Sequence, residues 1–161
     1  MRAIFANICF FIMNRPHYNF EALPPDEFYL YRFKSVSLQK SITKLVIFEA
    51  IEANIWNMAL VDYDEISNTA DDFAVSNNQD MPKIFATIAQ IIKHFLENLP
   101  NSVIYVKGNT ALKQRLYQRI VSNNLEDILQ FYEVLGVLAD ESTQTFDKTQ
   151  IYTALIFQNK S

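Results

Sequence analysis

Glycine is scarce, with only Gly108 and Gly136 in 161 residues. Neither stands in a P-loop or a Gly-x-Gly-x-x-Gly turn, so the glycine-built phosphate cradles are excluded. Cys9 is the lone cysteine, which rules out an internal disulfide and fits a reducing cytoplasm. The two histidines, His17 and His94, are too isolated to form a metal pair, and neither His-Glu-x-x-His nor a Ser-His-Asp order is present. The apolar run Ala3 to Ile12 reaches about ten residues, half of what a membrane helix needs. The net charge of −4 gives no global attraction to nucleic acid or anionic lipid and leaves room only for a local basic patch.

What is abundant is large and apolar. Half of the residues are hydrophobic, with thirteen Phe and eight Tyr. That excludes wholesale disorder and suits a sheet whose rings supply much of the buried area. The length favours one domain. Residues 1–12 read as an extension upstream of a natural start at Met13. The alternatives are a packed N-terminal strand or a signal segment, and no small-residue cleavage site follows. The domain is then expected over 13–161.

Phe28 to Phe33, Ile42 to Ile51 and Ile55 to Tyr63 are rich in aromatic and β-branched residues and predict strands. The last two are joined as a hairpin through Glu52-Ala53-Asn54. A polar stretch from Asp64 to Gln79 leaves room for a short strand at Phe73-Ala74-Val75. Asp80 as cap and Pro82 in the first turn open a helix with Ile84, Ile88, Ile91, Phe95 and Leu99 inward. Lys83, Thr87, Gln90 and His94 face outward, and Pro100 ends the helix. Ser102 to Lys107 predicts a buried strand, and Gly108 turns the chain. Thr110 caps a second helix with Leu112, Leu116 and Ile120 inward. Asn124 with Asp127 resembles a capping box for a short third helix, and Phe131 to Leu138 and Ile151 to Phe157 close the chain as strands. The order β-β-β-α-β-α-α-β-β makes an α+β domain, a mostly antiparallel sheet covered by two main helices.

Several segments resemble an uncharacterised bacterial family known only as a domain of unknown function. They are Phe33-Lys34-Ser35, Asn57 to Asp62, Asp71-Asp72, Ser76-Asn77-Asn78-Gln79-Asp80, Lys83 to Ala89, and Gly108-Asn109-Thr110 with Lys113 and Arg115-Leu116-Tyr117. The resemblance spans roughly residues 14–158. Val61 and Gln79 stand where that family usually has glycine, and Lys113 replaces an arginine, which weakens any bidentate grip on an anion. The resemblance implies the domain and its polar face but no reaction.

Two polar runs at helix starts, Asp71 to Asp80 and Gly108 to Tyr117, offer free N–H groups and many side-chain donors and acceptors. They define a candidate ligand-binding site: Ser76, Asn77, Asn78, Asp80 and Lys83 with Asn109, Thr110, Lys113, Arg115 and Tyr117. Asp62, Asp64, Glu65, Asp71, Asp72 and Asp80 admit a divalent-metal, nuclease-like reading with Lys83. The plainer reading is a solvated loop held by Asx turns and a helix cap. Arg115 and Arg119 admit an anion patch, against an ion pair from Arg115 to a loop acid. Asn77, Asn78 and Asn109 are candidates for left-handed turns. The strand and helix order also matches the core of GNAT-type acetyltransferases, with Asn109 and Tyr117 cast in its later helix, but the glycine-rich pyrophosphate loop is missing. The expectation is a bacterial, cytoplasmic binding or regulatory module without catalytic residues, metal or cofactor. Its partner would be a protein, nucleotide or nucleic acid, not a membrane.

Overall fold

The computed structural model describes residues 15–26, 28–72 and 80–161. The segment 1–12 and the strand expected at 73–75 lie outside the described residues. The strands are β1 (Phe20–Leu23), β2 (Tyr29–Val36), β3 (Ser41–Glu52), β4 (Ile55–Asp64), β5 (Thr69–Asp72), β6 (Val103–Val106), β7 (Tyr132–Val137), β8 (Thr143–Thr145) and β9 (Ala154–Asn159). The helices are α1 (Met81–Asn98), α2 (Ala111–Asn123) and the four-residue α3 (Leu125–Ile128). Strands bond in the order β1-β2-β3-β4-β6-β9-β7-β8, with β5 also on β4. The fold is α+β and mostly antiparallel, with β4 and β6 parallel. Strand outweighs helix, 41% to 25% of the described residues, so sheet rather than helical cover dominates the architecture.

The chain divides into two compact units. One runs through Ile47 and resumes over Leu60–Phe95; the other takes Phe48–Ala59 and Leu96–Ser161. In the first, β2 alternates as the pleat requires, with Tyr31, Phe33 and Ser35 buried and Lys34 and Val36 exposed. β1 pairs antiparallel with β2, setting Phe20 opposite Phe33 and Glu21 opposite Arg32. Helix α1 buries Ile84, Ile88, Ile91 and Phe95 on one face. Tyr29 meets Phe95 edge to face, and the Tyr31 hydroxyl bonds His94 Nδ1 at 3.0 Å, which fixes that face against β2. Thr87, expected outward, is wholly buried. Its hydroxyl donates to the Lys83 carbonyl and accepts the Tyr18 N–H, so a polar residue enters the apolar stripe fully bonded.

In the second unit, β6 pairs with β9, and β9 in turn with β7. Thr110 caps α2 as expected, its hydroxyl accepting the Lys113 N–H at 3.1 Å. The inward face differs from the expected one. Leu112 is 71% exposed, Leu116 and Ile120 are half-buried, and Gln114 and Val121 are the buried residues. Two glutamines turn the helix. Gln114 Oε1 accepts the Gly108 N–H, and Gln118 accepts the Tyr152 N–H while donating to the Gln150 carbonyl. Asn124 is not the expected capping box, because its side chain bonds the Ile120 carbonyl and closes α2 instead of opening α3. Gly108 has no left-handed backbone. Glycine is required there because a Cβ would strike the backbone of Lys113 and Gln114.

The assignment of faces is directly testable. Ile91→Ala should cost about 2–5 kcal/mol and Leu112→Ala about 0.5 or less in urea denaturation. Similar losses at both positions would reject it.

Candidate functional site

Asp80 stands at the start of α1, where its carbonyl accepts the Ile84 N–H at 3.0 Å. Its carboxylate does not cap the helix. Oδ2 accepts from the Tyr18 hydroxyl at 2.8 Å and from the buried Ser35 hydroxyl, while Oδ1 is shielded from solvent without a hydrogen bond. Burial and the neighbouring Asp80 carboxylate both raise the Tyr18 pKa, because each disfavours a phenolate. The Tyr18 oxygen also accepts the Val36 N–H, and Lys83 Nζ sits 4.2 Å from the ring centroid on α1. Phe33 stacks with the same ring at 6.0 Å. Tyr18 is thereby held by β2, by Asp80 and by Lys83 of α1.

Beside this node lies an open cleft of about 640 Å³, lined by Tyr18, Glu21, Arg32, Phe33, Lys34 and Glu65 among others. Arg32 and Lys34 are alternate residues of β2 and share its outward face. Arg32 donates to Glu21 across the β1–β2 register at 2.7 Å. Glu65 accepts from the Thr43 hydroxyl through one oxygen. Lys34 is exposed and has no ion pair among the described residues. Of the cleft residues, only Glu65 was singled out by the sequence, as one acid of the divalent-metal reading. The alternation of β2 was readable there, but what marks the cleft is the crossing of β1 and the β4–β5 turn.

Ser76, Asn77 and Asn78 fall outside the described residues. Asp80 and Lys83 meet through Tyr18 in the first unit. Asn109, Thr110, Lys113, Arg115 and Tyr117 belong to the second unit, on and just before α2. Arg115 is exposed and forms no ion pair among the described residues, so the expected structural pair with a loop acid is not found there. Asn109 does not adopt the left-handed turn considered for it; Asn54, Asn68 and Glu141 do. Tyr117, cast as an acid in the acetyltransferase reading, is half-buried.

The acidic residues disperse. Asp62 pairs with the fully buried Lys44 at 2.6 Å. Asp64 accepts the Ile66 and Ser67 N–H groups, which lower its pKa and form an Asx turn. Glu65 and Asp80 take hydroxyls. Among the described residues no three metal-ligating side chains cluster, and no helix is long and apolar enough to cross a membrane.

Burial raises the Tyr31 pKa from 10.0 to about 12. The unfolded chain releases this proton first, so the stabilisation is complete below pH 10 and declines as the pH rises toward 12. Urea midpoints measured across this window should fall more steeply for the parent protein than for Tyr31→Phe. Parallel profiles would show that Tyr31 ionises alike in both states.

No curated protein and no solved structure matches the chain significantly. Residues 14–160 match a family model described as a family of unknown function, DUF6934, and the chain accordingly belongs to that family.

Proposed function

We propose that the chain is a small cytoplasmic binding module whose ligand seats in the cleft beside β1 and β2. The observation that supports this reading is the cleft itself, about 640 Å³ and edged by a Tyr18 that four neighbours hold in place. That volume suits a small polar ligand, and a wall fixed before binding reduces the ordering cost of association. Of the residues expected at the site, Asp80 and Lys83 serve here as the supports of Tyr18. The residues on and just before α2, Asn109, Thr110, Lys113, Arg115 and Tyr117, have no part in this reading.

A thermal-shift screen of amino acids, short peptides, nucleotides, acyl-CoA and divalent ions should find stabilising ligands. Backbone NMR should then place their effects on residues 18–21 and 32–34. Ligands that perturb only residues 108–117 would reject the cleft.

A further inference from the structure

We infer that the cleft takes a zwitterion, an α-amino acid or a short peptide with free ends. This deepens the preceding reading and rests on it. The charged lining consists of two carboxylates, Glu21 and Glu65, and two cations, Arg32 and Lys34. Their formal charges cancel. A ligand of one sign therefore meets repulsion as well as attraction, while a dipolar ligand is matched at each end. Nucleotides and acyl-CoA, as polyanions, would be set against both carboxylates.

The pairing within the cleft leaves charges to spare. Glu21 takes a single N–H···O bond from Arg32, and a guanidinium has five donors. Lys34 has no carboxylate partner among the described residues, while Glu65 accepts from the Thr43 hydroxyl and shares the field of Arg32 with Glu21, so one guanidinium serves two carboxylates. Lys34 and the part of the carboxylate charge that Arg32 leaves uncompensated thus line one cleft. The ligand carboxylate is assigned to Lys34 and the spare donors of Arg32, and its ammonium to Glu65.

The test is isothermal titration of the full chain with dialanine, N-acetyl-dialanine and dialanine amide. Capping either end should weaken binding at least about tenfold, as expected for the loss of one charge-assisted contact. Glu65→Gln should abolish discrimination against the N-acetyl form, and Lys34→Gln should reduce discrimination against the amide severalfold, Arg32 retaining the rest. Both positions are exposed, so melting temperatures close to that of the parent protein should verify folding. Equal binding of the three peptides would overturn the inference. Binding of another ligand at residues 18–21 and 32–34, without any affinity for dialanine, would overturn it and leave the cleft reading standing. No ligand at those residues would remove both.

Discussion

Gly136→Ala is expected to destabilise the protein by on the order of 3 kcal/mol, the upper end of what an overpacked core costs. Gly136 lies in β7, and a Cβ there would stand 2.2 Å from carbons of the Tyr152 ring. The ring cannot easily yield. Tyr152 is 1% exposed, its hydroxyl accepts from Gln144 and from the Asp147 N–H at 2.8 Å each, and its own N–H is bound by Gln118. Moving it would break contacts to β8, to the loop that follows it and to α2. The double variant Gly136→Ala/Tyr152→Leu should recover part of the loss, since the clash is with the ring. A single variant with an unchanged urea midpoint would show that the ring moves at little cost.

Lys44→Ala should also cost on the order of 3 kcal/mol. Lys44 is wholly buried in β3, and its ammonium meets Asp62 at 2.6 Å. Deleting one member of a buried ion pair leaves the other charge without compensation and adds a cavity. Asp62 keeps 19% of its side chain exposed, so water relieves part of the penalty and the effect stays below the extreme. Replacing both residues together, Lys44→Met with Asp62→Leu, should recover most of the loss, because an apolar pair needs no compensation. If Lys44→Ala melts like the parent protein, the ammonium contributes nothing to the fold.

Periodicity served the reading of the sequence where packing was apolar. The β3–β4 hairpin, α1, β6 and α2 all stand near their expected places, because β-branched runs and the Ile84–Ile88–Ile91–Phe95 stripe report burial directly. It failed where a polar residue faced inward. Thr87, Lys44 and Gln114 are buried because hydrogen bonds or a counter-charge satisfy them. Hydrophobicity alone places such residues outside. The strands β1, β5 and β8 have at most four residues each and, unlike the equally short β6, no run of β-branched apolar residues; they exist through their pairing to β2, β4 and β7. The cleft was illegible for a related reason: Glu21, Arg32 and Lys34 look like ordinary surface charges, and Glu65 like one acid of a loop cluster, until β1 is laid beside β2.

The place of β9 bears on how the protein is made. This strand, residues 154–159, lies between β6 and β7 and is hydrogen-bonded to both. During synthesis β6 and β7 leave the ribosome well before it does, each lacking the neighbour that will cover one edge. Until β9 emerges, the nascent chain carries two open strand edges, the kind of surface that recruits other chains. The second unit is therefore completed only once β9 has emerged, and a pause before that point would expose its sheet to misassociation.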